Sequence, residues 1–146
     1  MKTKSNSKIV EWYSAERMHD MSKKWLSELN FIKDEQQFLE ELITDYTHQI
    51  INDDALSRAQ DVTTALLRTT RGTQKLIAAL EQHENDLSLM VDGKDELEKE
   101  KKYKAEHIEF IATISSFFHD YKAVKFEIFN LVKKLMKTDK QERLLK

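Results

Sequence analysis

The residues best suited to metal chemistry in this sequence are histidines and glutamates spaced for one face of a helix. Glu16 and His19 form an E-x-x-H pair, and residues three apart project from the same helical face. His83 and Glu84 are adjacent to each other much further along the chain, and His107 follows them. Carboxylates and imidazoles on facing helices hold metal ions inside helical bundles. The sequence therefore predicts a metal site if these segments come together.

Two reversals of the chain would bring these side chains to one level. With turns near residues 52–54 and at Gly93, His19 falls level with the stretch around His83, and His107 lies one or two turns away. We therefore name Glu16, His19, His83 and Glu84 as candidate metal ligands, with His107 as a further member. The second E-x-x-H pair of a carboxylate-bridged bundle centre is absent.

Other kinds of chemistry find little support in the sequence. There is no cysteine, so thiolate ligands, disulfides and a cysteine nucleophile are excluded. No glycine-rich phosphate loop and no G-x-S-x-G motif occurs. We predict that the chain is not an enzyme and that it has no cofactor other than the possible metal ion.

Charge also argues against binding to nucleic acid. The formal net charge is −2. Residues 94–146 carry 13 Lys and Arg against 10 Asp and Glu, whereas residues 8–51 carry 5 against 9. This asymmetry is more typical of a basic helix lying beside an acidic one than of a track for phosphates. We predict no nucleic-acid partner.

The composition favours long helices. The chain has no proline and two glycines, and these residues are the main breakers of helices. Apolar residues at helical spacing predict three helices near residues 8–51, 54–91 and 95–138, with Ser7 as the first N-cap and short turns at 52–54 and Gly93. A break near residues 30–34, capped by Asp34, is the alternative left open, and it would give four helices.

The central helix carries a stripe whose steps alternate between four and three residues, which is a heptad seam. The stripe consists of Ala59, Thr63, Leu66, Thr70, Thr73, Ile77, Leu80, Glu84, Leu87 and Val91. We predict an all-α, antiparallel up-down-up bundle of three long coiled-coil-like helices. It forms a single domain, residues 1–146, with flexible ends at 1–7 and 139–146. The predicted core is Leu29, Ile32, Leu39, Leu66, Ile77, Leu80, Ile111, Phe118, Ile128 and Val132.

The middle of the central helix, residues 68–73, is rich in poor helix formers. One interpretation is a hinge or a groove. The other is that small residues there leave room for large rings on the neighbouring helices, and we favour it. The small residues are Thr70, Gly72 and Thr73, and the rings level with them are Phe31, Phe38, Phe117 and Phe118.

These features together predict a cytoplasmic, non-catalytic interaction or scaffold protein. A small metal-binding bundle is the alternative. No apolar run is long enough to span a membrane, and Leu144 and Leu145 are too few for an anchor. Apolar residues outside the predicted stripes favour a homodimer over a different protein partner. They are Phe31, Phe38, Leu42, Leu67, Leu76, Phe110, Phe117 and Phe129.

Overall fold

A computed structural model describes residues 14–47, 53–92 and 97–145. These residues form three α-helices: α1 spans Ala15–Thr47, α2 spans Asp53–Asp92, and α3 spans Leu97–Leu145. Packing of α1 on α2 and of α2 on α3 gives an up-down three-helix bundle, which confirms the predicted all-α class. Since α1 runs through residues 30–34 without a break, the three-helix prediction is confirmed over the four-helix alternative.

The helix ends differ from the predicted ones. The backbone amide of Arg17 donates to Oγ of Ser14 at 3.1 Å, so Ser14 is the N-cap of α1. The start predicted near residue 8 lies outside the described residues. At the other end of the chain, α3 continues past the predicted end at 138. There Arg143 and Asp139 form an i,i+4 ion pair at 3.3 Å. Ser7 and the predicted turn residues Asn52 and Gly93 lie outside the described residues.

The contacts between the helices divide into two compact units, and each unit contains a segment of all three helices. Unit 1 consists of Met1–Asn30 and Gln74–Ser116, and unit 2 of Phe31–Thr73 and Phe117–Lys146. In unit 1, a cluster of Met18, Leu87 and Tyr103 is buried. Unit 2 contains a larger apolar cluster: Leu39, Ile43, Ala59, Val62, Leu66, Tyr121, Ile128, Leu131, Val132 and Leu135.

The buried face of α2 confirms the heptad spacing but corrects its phase. Its buried residues are Ala59, Val62, Leu66, Thr69, Thr73, Leu80, His83 and Leu87. The predicted stripe contained Thr63, Thr70 and Glu84 at the positions that Val62, Thr69 and His83 take. A heptad can step by three residues and then four, or by four and then three. From Ala59 this helix takes the three-residue step first.

Six of the ten predicted core residues are buried, namely Leu29, Leu39, Leu66, Leu80, Ile128 and Val132. The other four, Ile32, Ile77, Ile111 and Phe118, are half-buried and so are not at the centre of the core, although Ile32 packs against the buried cluster of unit 2. On α3 the buried face passes through His107, Ile114, Tyr121 and Ile128 at seven-residue intervals. Ile111 and Phe118 therefore fall at the edge of that face.

Around Gly72 the small-for-large prediction is half right. A Cβ atom on Gly72 would lie 3.0 Å from Cε2 of Phe117, so this ring fills the space that the glycine leaves. Phe31 and Phe38, in contrast, are 67% and 56% exposed, and their predicted place in this packing is wrong.

Where α1 faces the middle of α2, the space is filled by the buried side-chain amide of Gln36. Nε2 of Gln36 donates to Oγ1 of Thr73 at 2.9 Å and to Oγ1 of Thr69 at 3.3 Å. Both hydroxyls also donate to carbonyl oxygens of their own helix, those of Leu66 and Thr69. The threonines of the middle of α2 therefore serve a buried polar contact with α1.

Candidate functional site

Two buried histidines meet in unit 1, one from α2 and one from α3. His83 and His107 are both 0% exposed, and Nε2 of His83 lies 3.0 Å from Nδ1 of His107. One ring N–H donates to the lone pair of the other ring, which requires an unprotonated nitrogen in the pair. The ring of Tyr103 is parallel to that of His83, with centroids 4.0 Å apart. This arrangement is a packed polar layer within the bundle.

Burial determines the charge of this pair. It lowers the pKa of His83 to about 4, although nearby Asp86 acts in the opposite direction. Burial also lowers the pKa of His107 to about 4, and the neighbouring His83 adds to that effect. Burial raises the pKa of Tyr103, so its phenol stays protonated. At neutral pH all three rings are therefore uncharged.

Aromatic side chains close off the two imidazoles. The Trp25 ring lies 5.0 Å from that of His107, and the Phe110 ring lies 4.8 Å from that of His83, centroid to centroid. Phe110 was predicted to belong to a second, outward apolar face, but its ring packs against His83 instead. With their faces covered, the imidazoles are poorly placed to act on a substrate.

Glu16 and His19, the E-x-x-H pair, lie near the start of α1 in the same unit. Nδ1 of His19 is 2.5 Å from Oε2 of Glu84, and about half of the His19 side chain is exposed. Glu16 is exposed. His83 is adjacent in sequence to Glu84 but is buried with His107, because successive residues of a helix point about 100° apart.

Four of the five candidate metal ligands thus form two pairs, His19 with Glu84 and His83 with His107. Among the described residues, no group of three His, Cys, Asp or Glu side chains could hold a metal ion. A metal site stays a prediction, with His19 and Glu84 as its adjacent ligands.

Unit 2 presents an exposed stripe on α1 that combines aromatic and acidic side chains. Its members follow one another at steps of three and four residues, so they share one face of the helix. We call Phe31, Asp34, Phe38, Glu41 and Asp45 the α1 stripe.

A second exposed stripe runs along α3 and combines aromatic and basic side chains. We call Lys122, Phe126, Phe129, Lys133, Met136 and Lys140 the α3 stripe. Its steps are again four and three residues. Phe126 is 66% exposed and Phe129 is 47% exposed.

Helical spacing around the contact between α1 and α3 indicates that the two stripes lie on one side of unit 2. Oε1 of Glu35 accepts from the Tyr121 hydroxyl at 2.7 Å and from Nζ of Lys125 at 3.1 Å. Burial and this hydrogen bond raise the pKa of Tyr121, which keeps it a donor. Phe31 and Phe38 lie one turn to either side of Glu35, and Phe129 lies one turn beyond Lys125. The stripes therefore flank the solvent side of this contact.

Phe31, Phe38 and Phe129 were predicted from the sequence as unpartnered apolar residues, whereas Phe126 and the charged members of both stripes were not. The missed signal is that the charges on each helix repeat with the phenylalanines at heptad steps. Leu42, Leu76 and Phe117 were also predicted for that outer surface, but these three residues are half-buried.

Comparison with known proteins indicates no function for this chain, so a function can be inferred only from the residues described above. The chain matches no family model, no curated protein and no solved structure. In the part of the chain that the structure describes, no helix is both long and apolar enough to cross a membrane.

Proposed function

We propose that this chain is a non-catalytic interaction protein, and that it binds its partner through the α1 and α3 stripes of unit 2. The observation that carries this proposal is the exposure of four phenylalanines on one side of the unit. Phe31, Phe38, Phe126 and Phe129 are 67%, 56%, 66% and 47% exposed.

Exposed phenylalanine is costly in a chain that can bury apolar residues well. Ten hydrophobic residues of the same unit are buried in one cluster. Burying a phenylalanine is worth about 1.5–3 kcal/mol, so four of them represent a substantial unused driving force. Aromatic residues are enriched where proteins bind one another. A partner that covers the stripes would recover this free energy.

The state of the histidines supports a role without catalysis. General acid–base chemistry needs an imidazole within reach of a substrate and with a pKa near the working pH. His83 and His107 are fully buried and hydrogen-bonded to each other, and their pKa values are about 4. Neither condition is met by this pair.

Photo-cross-linking in the cells that produce the protein tests the proposal. A photoreactive benzophenone analogue of phenylalanine replaces Phe38, because this change retains the aromatic character of the stripe. We expect a discrete cross-linked adduct whose mass exceeds that of the chain.

Lys33 provides the matched control for this experiment. It is exposed on the same helix but points about 140–160° away from Phe31 and Phe38. The same photoreactive residue at position 33 should give no such adduct. Equal labelling from both positions, or no adduct from position 38, would refute the proposed binding surface.

A further inference from the structure

We infer that the partner bound by the two stripes is a second copy of this chain, related by a two-fold axis parallel to the helices. This inference rests on the proposed function, since it names the partner of the same surface. The observation behind it is that the two stripes carry opposite charges at matching levels.

The charges of the stripes are separated by helix. The α1 stripe contributes Asp34, Glu41 and Asp45, whereas the α3 stripe contributes Lys122, Lys133 and Lys140. None of these six side chains forms an ion pair with another of the described residues. The surface therefore has an acidic edge and a basic edge, with phenylalanines on both.

The levels of these charges follow from the contact at Glu35. In an up-down bundle the first and third helices run in the same direction. Glu35 bonds both Tyr121 and Lys125, so it is level with the stretch between them. Asp34 is then level with Lys122, and Asp45 with Lys133.

A two-fold axis parallel to the helices makes these edges complementary. It lays α1 of one copy on α3 of the other without changing the level of any residue. Asp34 then faces Lys122 of the second copy, and Asp45 faces Lys133 of the second copy, and each contact occurs twice. A two-fold axis across the helices would instead lay α1 on α1, with acidic side chains against acidic ones.

The apolar area fits a dimer as well. A whole phenylalanine side chain offers roughly 200 Å². The exposed fractions of the four phenylalanines therefore amount to on the order of 450 Å² per copy. A standard interface buries about 800 Å² per partner, and Met136 with the alkyl parts of the lysines adds to the phenylalanine area.

Sedimentation equilibrium of the purified chain gives the first measurement. We expect twice the chain mass of 17.3 kDa at micromolar concentration. Asp34→Lys with Asp45→Lys, and separately Lys122→Asp with Lys133→Asp, should each weaken the dimer at least about tenfold by opposing like charges. An equimolar mixture of the two variants should restore dimer formation. Helical circular dichroism of each variant verifies that it folds.

Cross-linking measures the direction of the axis. The chain has no cysteine, so introduced thiols are unique. With a short bis-maleimide, Asp34→Cys mixed with Lys122→Cys should give a cross-linked dimer. Asp34→Cys alone should give none, and Lys33→Cys mixed with Lys122→Cys serves as the negative control.

The outcomes separate this inference from the proposed function. A monomer at all concentrations, together with adducts of another protein from position 38, would overturn the second copy as partner and leave the binding surface in place. Cross-linking of Asp34→Cys to itself, or charge variants that dimerise as tightly as the original chain, would also overturn the inference. Absence of any adduct from position 38 would count against both.

Discussion

At the scale of single residues, the buried His83–His107 pair is the feature most sensitive to solution conditions. Both imidazoles are neutral in the folded chain at pH 7, and their hydrogen bond needs a free lone pair. In the unfolded chain each histidine regains an ordinary pKa near 6.5. The two states therefore bind different numbers of protons in mildly acid solution.

We expect the free energy of unfolding to decrease as the pH falls from about 6.5 toward 4. Above pH 6.5 both states are unprotonated at these positions, and below about 4 both take up protons, so the loss is confined to this window. Its slope is at most about 1.4 kcal/mol per pH unit for each histidine. Urea titrations across this range provide the measurement.

Two variants isolate the contribution of the pair. His83→Leu with His107→Leu should flatten the pH dependence in this window. His119→Gln, a change at an exposed histidine of α3, should leave it unaltered. An equally steep dependence in the double variant would show that other groups cause it.

The amide of Gln36 leads to a second expectation at this scale. Its Nε2 donates to two threonine hydroxyls, but its Oε1 is buried without a hydrogen-bond partner among the described residues. Gln36→Leu removes that unsatisfied oxygen at similar volume, while both hydroxyls keep their bonds to backbone carbonyls. We expect this change to stabilise the chain by about 1 kcal/mol. Thermal and urea unfolding measure it.

Gln36→Ala is the contrasting change. It leaves a cavity as well as losing the bonds, and should destabilise by about 1–3 kcal/mol. If Gln36→Leu proved as harmful as Gln36→Ala, the amide would be contributing net stability through its threonine contacts.

At the scale of the helices, the phase of the buried face determines which truncations are costly. Leu80 is fully buried on α2, and Phe118 lies half-buried at the edge of the buried face of α3. Leu80→Ala should cost about 2–5 kcal/mol, and Phe118→Ala distinctly less despite the larger ring. Urea denaturation with a common slope measures both.

Leu89→Ala is the control for this comparison, because Leu89 is on α2 like Leu80 but is 65% exposed. Its effect should stay within about 0.5 kcal/mol. A larger loss from Phe118→Ala than from Leu80→Ala would contradict the phase described for the two helices.

Helix number and heptad spacing were predictable from the sequence, because they depend on many residues at once. The phase was not, because it depends on a few close choices. Val62 or Thr63, and His83 or Glu84, satisfy the same spacing, and the apolar character of the stripe hardly distinguishes them. For the same reason His83 and Glu84 belong to different pairs: Glu84 turns toward His19 while His83 turns inward.

Exposure of the phenylalanines was equally hard to predict. A phenylalanine at heptad spacing is typical of a core position, whereas charged residues at the same spacing favour an exposed face. Phe31 and Phe38 share their face of α1 with Asp34, Glu41 and Asp45, and these charges favour a solvent-exposed face. Phe117 has Asp120 and Glu127 at the same spacing, yet it is half-buried and packs on Gly72. Charged neighbours alone therefore do not separate an exposed phenylalanine from a packed one.

At the scale of the whole molecule, the two units differ in which polar side chains they bury. Unit 1 buries Ser22 and the two titratable imidazoles of His83 and His107, whereas unit 2 buries Gln36, Thr69 and Thr73, which carry no titratable group, beside a cluster of ten hydrophobic residues. Since both acid-sensitive histidines belong to unit 1, mild acid should loosen that unit first.

Hydrogen exchange measures this difference. After correction for intrinsic rates, amides of residues 18–29, 76–90 and 100–114 should lose more protection between pH 7 and pH 5 than those of 121–135. The loss should be much smaller in the variant with both histidines replaced by leucine. Uniform loss in both units would mean that acid acts on the chain as a whole.

Each of the three helices belongs to both units, and this restricts how the length of the chain can change in evolution. One inserted residue turns everything beyond it by about 100°, which would bring the wrong side chains to the core. Seven inserted residues restore the rotation but shift one helix by about 10 Å against its neighbours. Insertions or deletions inside the helices that keep both cores should therefore come as matching seven-residue blocks in all three helices, roughly 21 residues in total.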